Sequence, residues 1–306
     1  MESAMRFNLL KQLTSILTVN PPRASLSVLI ALLSFSSLQA SAITGGSSVK
    51  PNTSVALRTV GIFNVKTANA CSGTLIAKDV VLTAGHCVIS KKENLIVIFD
   101  THFPNKVGET DKIDPRNIRT IRAMAFHDDF KNLDEAGSDY GDIGIIKLTS
   151  PAPENYLITP LLKDVSNIRP SDTVTLAGFG YSSEKTIVTD RNYPGVDAAV
   201  SEGRGYCNNY KTKCYVTEVN GDGELREVQV TIETLRDKDM VLNESNQKAT
   251  CSGDSGGPAF VEINGKTLLA GVTSRTLTDN DCGSAQGVKT LVPHYFTWIK
   301  QMIQAM

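Results

Sequence analysis

The sequence predicts an all-β protein built from short strands, with one helix at the C-terminal end. Short apolar or alternating runs recur between turn-forming residues over positions 55–292. This spacing is typical of a β-sandwich or of β-barrels and not of βαβ units. The chain has 23 glycines and one tryptophan among 306 residues, which agrees with many turns and few long elements.

The predicted strands follow the apolar runs in chain order. They lie at residues 55–63, 74–76, 80–83, 95–99, 121–126, 143–148, 174–179, 227–235, 259–263, 268–273 and 288–292. The C-terminal segment has a different period, with apolar residues three or four positions apart, which predicts an amphipathic helix whose apolar stripe packs on the core. The stripe consists of Tyr295, Trp298, Ile299, Met302, Ile303 and Met306.

The composition restricts the class of protein. The chain is 41% hydrophobic and 21% charged, and a disordered chain would be more polar. With 31 basic and 32 acidic residues, it gives no electrostatic reason to expect nucleic acid as a partner. Collagen-like, coiled-coil and polytopic membrane proteins are also excluded by the composition.

Residues 1–42 are predicted to be a secretory signal peptide outside the fold. Arg23 precedes an apolar run at 26–33, and the stretch ends on Ala40-Ser41-Ala42, the small-residue pattern of a cleavage site. A membrane anchor is the alternative, but the apolar run is short and serines interrupt it. We therefore expect a secreted protein, extracellular or periplasmic, with no membrane attachment once the signal is removed.

All six cysteines follow residue 42, and an even number in an exported chain favours disulfides. They are Cys71, Cys87, Cys207, Cys214, Cys251 and Cys282. A structural metal site would need clustered ligands at spacings such as C-x-x-C, which the sequence lacks. Counting alone leaves many pairings open.

The proline-containing segment 150–171 is predicted to link two domains. The first domain would cover residues 43–160 and the second residues 161–306. We find no internal repeat that would divide the chain differently.

Three motifs contain residues that together can perform nucleophilic catalysis. TAGHC contains His86, GDIGIIKL contains Asp142, and CSGDSGGP contains Ser255. A serine hydroxyl needs an adjacent base, and an imidazole can accept its proton and return it to a leaving group. A carboxylate on the other ring nitrogen fixes the tautomer, and the backbone N–H groups of Gly253 and Ser255 can stabilise an oxyanion.

These motifs, in the order His, Asp, Ser, resemble those of the chymotrypsin/trypsin family of serine proteases. The segments 71–76, 178–180 and 271–274 are similar to that family as well. The resemblance implies two packed antiparallel six-stranded Greek-key β-barrels, with a C-terminal α-helix and the active site in the cleft between the barrels. It also implies a secreted endopeptidase that cleaves proteins or peptides through an acyl-enzyme intermediate, without a cofactor or a metal.

The resemblance assigns a role to each matching residue. His86 would be the general base and acid, Asp142 would orient it, and Ser255 would attack the scissile carbonyl. Gly253 and Ser255 would form the oxyanion hole, and Ser274 would support Asp142. A catalytically silent protease homologue that acts as a binding protein is the alternative, but such homologues usually lose one of these residues.

The resemblance also implies disulfides Cys71–Cys87 and Cys251–Cys282. The expected partners are protein or peptide substrates and a proteinaceous inhibitor, and the protein is expected to be a monomer.

Activation in this family requires a free N-terminal amine. Ile43 begins the segment ITGG, which resembles the family's mature N-terminus and directly follows Ala42. We therefore expect signal removal to free the Ile43 amine, which would pair with Asp254. The alternative is cleavage elsewhere followed by a second protease.

The substrate pocket departs from that of trypsin-like enzymes. The resemblance assigns to it Ala249, Thr250, Ser274, Arg275, Thr276 and Gly287. Ala249 replaces the aspartate that would select Arg or Lys, so we expect a small or medium uncharged side chain before the cleaved bond. Asp279 and Asp281 are an alternative source of negative charge.

Residues 182–226 are polar and glycine-rich. Because Cys207 and Cys214 are close in sequence, they predict a disulfide-linked hairpin. The resemblance implies that this hairpin lies in the loop that borders the substrate cleft. Its core, residues 201–224, is either a plain surface insertion or a second binding surface for substrate.

Overall fold

The computed structural model describes residues 43–104, 108–132, 141–201, 204–210, 212–221, 223–245, 247–277, 282 and 286–306. The predicted signal peptide, residues 1–42, lies outside the described residues, as do Asp279 and Asp281. Within them, no helix is long and apolar enough to span a bilayer.

A short strand, β1 (Ser47–Ser48), precedes the first barrel. The barrel strands are β2 (Thr59–Asn64), β3 (Ala70–Ala77), β4 (Val80–Thr83), β5 (Leu95–Ile98), β6 (Ile118–Phe126) and β7 (Gly144–Leu148). They pair antiparallel in the order β2-β3-β4-β7-β6-β5, and β5 pairs with β2 to close the barrel. Alternating apolar side chains fill its interior, as the period of two predicts.

The second barrel begins with β8 (Thr173–Gly178), and an insertion follows before its next strand. The insertion contains β9 (Ser183–Thr189), α1 (Val196–Ser201), β10 (Gly205–Cys207) and β11 (Cys214–Asn220). Its strands form a separate sheet in the order β10-β11-β9. The Cys207–Cys214 disulfide joins β10 to β11, as predicted for the hairpin.

The remaining strands complete the second barrel. They are β12 (Arg226–Leu235), β13 (Asp239–Asn243), β14 (Pro258–Ile263), β15 (Lys266–Thr276) and β16 (Gly287–Leu291). The order is β12-β13-β16-β15-β14-β8, closed by pairing of β8 with β12. Strand β1 pairs with β12, so the N-terminal end of the described chain lies on the second barrel.

An apolar cluster joins the two barrels beneath the catalytic motifs. Strand β4 contributes to it because Val80 and Leu82 point out of the first barrel, whereas Val81 points into that barrel's core. Helix α2 (Phe296–Ala305) covers the cluster with the predicted apolar stripe, and Ile299 is completely buried there. At this junction, His86 follows strand β4, Asp142 precedes β7, and Ser255 precedes β14.

The predicted fold class is confirmed: two closed six-stranded antiparallel barrels and a C-terminal helix. Each predicted strand overlaps an observed one, and the predicted hairpin corresponds to β10 and β11, but β1, β9, β13 and α1 were not predicted. These elements are short or carry charged residues, so local periodicity does not mark them. They form because they pair with a neighbouring strand or pack against the disulfide-linked hairpin of the insertion.

Candidate active site

His86 follows β4 in a short 3-10 helix, Gly85–Val88. The Cys71–Cys87 disulfide ties this turn to β3, in the pairing that the resemblance implies. The His86 side chain is 35% exposed, so its ring has one side against the protein and one side toward solvent.

Asp142 immediately precedes β7 and is only 2% exposed. Its Oδ1 accepts a hydrogen bond from the backbone N–H of His86 at 3.0 Å, and its Oδ2 lies 2.9 Å from His86 Nδ1. The hydroxyl of Ser274 donates to the same Oδ2 at 2.7 Å. Three donors therefore converge on one buried carboxylate.

The electrostatics keep Asp142 ionised. Burial alone would raise its pKa, but hydrogen bonds and charge from His86, together with the Ser274 hydroxyl, outweigh burial and lower the pKa below its usual range. An ionised carboxylate only accepts, so Nδ1 of His86 carries the proton and Nε2 is left as the basic nitrogen.

The loop that carries Ser255 is fastened to the first barrel by Ser72 of β3. The N–H of Ser72 donates to the carbonyl of Ser255 at 2.7 Å, and its hydroxyl donates to the carbonyl of Gly253 at 3.1 Å. Gly253 has φ of +98°, a left-handed conformation that favours glycine. The motif GDSGGP thus supplies the residue type that this turn requires.

Two N–H groups of this loop remain available. Among the residues that the structure describes, neither the N–H of Gly253 nor that of Ser255 donates to a protein acceptor. Both residues line a cleft of about 1060 Å³ together with His86. The structure joins Asp142 to His86 by a hydrogen bond and places Ser255 in the same cleft as His86. Within the described part of the chain, no hydrogen bond links the Ser255 hydroxyl to His86.

Asp254 points away from this cleft and is completely buried. It accepts hydrogen bonds from the N–H groups of Gly180 and Cys251, each at 2.8 Å. Burial nevertheless raises its pKa to about 7. Ile43 is also completely buried, in the core of the second barrel. In the full chain its nitrogen belongs to a peptide bond, so the expected ion pair with Asp254 is not formed.

The residues that the resemblance assigns to the pocket belong to the second barrel and to the segment before Ser255. Ala249 and Thr250 are buried, and Gly287 begins β16. Arg275 on β15 forms an ion pair with the buried Asp239 at 3.2 Å. Thr276, next on β15, is exposed.

Two buried charged residues beside Thr250 and Gly287 were not predicted from the sequence: Glu244 and Lys289. The two side chains form an ion pair, and both are completely shielded from solvent. Glu244 accepts from both the N–H and the hydroxyl of Thr250 at 2.6 Å, and Lys289 donates to that hydroxyl at 2.9 Å. A Cβ at Gly287 would lie 1.8 Å from the Glu244 carboxylate, so glycine leaves the space that this carboxylate fills.

The sequence contained one signal for this pair. Lys289 interrupts an otherwise apolar strand, GVKTLV, which indicates a buried charge that needs a partner. The identity of the partner depends on β13 and β16 lying side by side.

Cys251 and Cys282 form the third disulfide, as the resemblance implies. Two groups of potential metal ligands lie among the described residues, one around His86 and one around Glu184, and each contains both sulfurs of a disulfide. A disulfide sulfur is not a thiolate, so neither group offers three ligands.

Comparison with known proteins places the chain in a family. The family model described as Trypsin matches residues 43–299. Granzyme E of Mus musculus is 24% identical over 91% of this chain and 98% of that protein. Snake venom serine protease 3 of Protobothrops jerdonii is 28% identical over 92% of this chain and 95% of that protein.

A solved structure, human heparin binding protein, has the same fold. It superposes with a TM-score of 0.60 at 18% sequence identity and covers 86% of this chain and 97% of its own. The family match spans both barrels, from Ile43 to Ile299. The chain therefore belongs to the trypsin family of serine endopeptidases.

Proposed function

We propose that the protein cleaves peptide bonds with Ser255 as nucleophile, His86 as general base and acid, and Asp142 as the residue that positions His86. The buried Asp142 carboxylate carries this proposal, because it lies against His86 Nδ1 and favours the tautomer in which Nε2 can accept a proton. The backbone N–H groups of Gly253 and Ser255, which donate to no described acceptor, would form the oxyanion hole.

The reaction would proceed in two stages. Ser255 Oγ forms a bond to the scissile carbonyl carbon while its proton passes to His86 Nε2, and the negative oxygen binds the two N–H groups. The C–N bond then breaks as His86 returns the proton to the leaving amine. Water repeats the sequence on the acyl-enzyme and releases the second product. One oxyanion N–H contributes about 2.7–4 kcal/mol to such a barrier.

A fluorophosphonate reagent tests the nucleophile directly. We expect one covalent adduct on the chain that begins at Ile43 and none on the Ser255→Ala variant. Ser166→Ala is the matched control, because that serine is exposed and does not line the cleft that contains Ser255, so labelling should stay intact. Absence of labelling on correctly processed protein would favour the catalytically silent binding protein.

We further propose that cleavage before Ile43 activates the enzyme. The support is the completely buried Asp254 carboxylate, whose pKa burial raises, together with a segment already docked on the second barrel. Thr44 pairs with Ala249, and the N–H of Ala249 donates to the Thr44 carbonyl at 3.1 Å. N-terminal sequencing of the active protein should read Ile43; any other start contradicts direct activation by signal removal.

For the residue before the cleaved bond, we propose a small or medium uncharged side chain. Glu244 fills the space beside Gly287 and is neutralised by Lys289, so the pocket end offers neither depth nor net charge. A cleavage profile from a peptide library should be dominated by residues such as Ala or Val. Dominance of Arg or Lys would contradict the proposal.

We also propose that the protein is secreted and acts on extracellular protein substrates as a monomer. The N-terminal leader supports export, and the three disulfides fit an oxidising compartment. Detection of a chain starting at Ile43 outside the cells would test export, and the mass in solution would test the oligomeric state. The predicted inhibitor remains a prediction.

A further inference from the structure

The insertion sheet β10-β11-β9 has one covered face and one open face. The covered face packs Cys214 and Val216 of β11 against Val196 and Ala199 of α1, all of them buried. Residues alternate along a strand, so Tyr215, Thr217 and Val219 project from the opposite face. These three side chains are partly exposed, so this face of the sheet is accessible to solvent.

Aromatic and aliphatic side chains collect at the outer end of the open face. Tyr206, Tyr215 and Val188 lie side by side across the three strands. The rings of Tyr206 and Tyr215 are stacked, with centroids 4.9 Å apart and planes 14° apart. Tyr206 is 63% exposed and Val188 is 59% exposed. We call these three residues the tyrosine face.

The inner end of the same face reaches the active site. Val219 pairs with Glu184, and the Glu184 carboxylate accepts a hydrogen bond from the Ser252 hydroxyl at 2.7 Å. Ser252 and Val219 line the cleft that contains His86 and Ser255. Between the two ends of the open face lie Thr186 and Thr217, whose hydroxyls form a hydrogen bond. The open face therefore extends from the cleft to the tyrosine face.

The direction of this cleft identifies which part of a substrate would enter it. Ala249, Thr250 and Gly287, assigned to the residue before the cleaved bond, do not line it within the described part of the chain. The cleft runs instead from Ser255 toward the turn at residues 64–70 and toward the insertion. It therefore suits the segment that follows the cleaved bond.

We propose that the open face binds the segment of a protein substrate that follows the scissile bond, with the tyrosine face holding an apolar side chain of that segment. This deepens the proposed function and rests on it. Tyr215 lies four positions before Val219 on β11, a distance of about 13 Å, which an extended substrate covers with about four residues. The substrate class is thus an extended polypeptide with an apolar residue several positions after the cleaved bond, and short peptides would be poorer substrates.

The test compares peptides that differ only after the cleaved bond. One ends about two residues beyond it, a second extends about eight residues with leucines at the fourth to sixth positions, and a third has serines at those positions. We expect kcat/KM to be about tenfold higher for the leucine peptide than for the short one, with little gain for the serine peptide. The double variant Val188→Ser with Tyr206→Ser should reduce the long-to-short ratio to about one.

Tyr193→Ser is the matched control. This tyrosine belongs to the same insertion and is also exposed, but its hydroxyl contacts Glu218, which projects from the covered side of β11. The Cys207–Cys214 disulfide keeps the hairpin joined in all variants. The control should retain the full long-to-short ratio.

A second measurement separates this inference from the catalytic proposal. Fluorescence anisotropy on Ser255→Ala protein measures binding of the same peptides without turnover. Tighter binding of the leucine peptide that is lost in the double variant supports the tyrosine face even if no peptide is cleaved. An equal ratio in the double variant and the control, or an equal gain from the serine peptide, would overturn it.

Discussion

Ser274 of the second barrel donates a hydrogen bond to Asp142 of the first barrel at 2.7 Å. The two residues are 132 positions apart, and Asp142 in turn holds His86. The proposed base is therefore positioned by groups from both barrels, so its geometry depends on their packing.

Removal of this hydroxyl tests the positioning role. For Ser274→Ala we expect kcat to fall about tenfold with KM little changed, because one hydrogen bond to a buried charge is lost while the β15 backbone stays in place. Ser274→Thr restores a hydroxyl and should recover most of kcat. Steady-state kinetics on a short peptide measure both, and a rise in KM alone would assign Ser274 to substrate binding instead.

Loss of the Asp142 charge should be far more damaging. In Asp142→Asn the amide can donate, so His86 loses the acceptor that keeps the proton on Nδ1, and we expect kcat to fall about 10⁴-fold. Asp79→Asn is the control, since Asp79 pairs with Lys147 at 2.9 Å at a partly exposed site. A loss below about tenfold in Asp142→Asn would show that this carboxylate does not set the tautomer.

The raised pKa of Asp254 predicts a pH dependence that cleavage before Ile43 removes. When that amine is blocked, the folded chain holds a proton on Asp254 up to about pH 7, whereas the unfolded chain releases it near pH 4. The folded state binds more protons in this window, so its stability should fall as pH rises from about 4 to 7 and level off above.

The test compares the pH dependence of stability in two chains, both with Ser255→Ala to prevent self-cleavage. One chain begins at Ile43 and the other begins at Ala42. A free ammonium beside Asp254 lowers its pKa, so the shorter chain should keep its stability through the window. Urea denaturation at several pH values measures the free energy of unfolding of each chain. The contributions of the other titrating groups cancel in the difference between the two chains. Parallel pH curves for the two chains would contradict the proposed Ile43–Asp254 pair.

The Glu244–Lys289 pair should show strong coupling in stability. Lys289→Met leaves a buried carboxylate unpaired and should cost about 3–5 kcal/mol of unfolding free energy. Adding Glu244→Leu removes that carboxylate, so the double variant should be more stable than the single one. Urea denaturation of the four proteins in the cycle gives the coupling, and additive effects would mean that the two charges act independently.

The same pair should control substrate preference. In Glu244→Ala with Lys289→Met the space beside Gly287 is vacated, so we expect the peptide-library profile to shift from Ala or Val toward Leu or Phe. Asp79→Asn with Lys147→Met removes an ion pair of the first barrel, outside the assigned pocket, and serves as the control. An unchanged profile in the first double variant would show that Glu244 does not limit the pocket.

Much of the molecule follows from local sequence. The apolar alternation of the barrel strands predicts their positions, and the three-four spacing after Tyr295 predicts helix α2, because both signals depend only on near neighbours. The motifs around His86, Asp142 and Ser255 indicate their chemistry because short segments carry the required residue types.

Tertiary structure decided the features that join distant segments. Strand β13 was missed because its short sequence, DMVLN, has no clear alternation and is stabilised by β12 and β16 on either side. Glu244 meets Lys289 only because those strands are neighbours, and the Ser274 hydroxyl reaches Asp142 only because the two barrels pack together. The sequence by itself therefore determined the all-β fold class and the residue types that we propose to be catalytic. The Glu244–Lys289 pair and the contacts that position His86 were decided by the packing, since residue spacing in one chain does not report which strands will lie side by side.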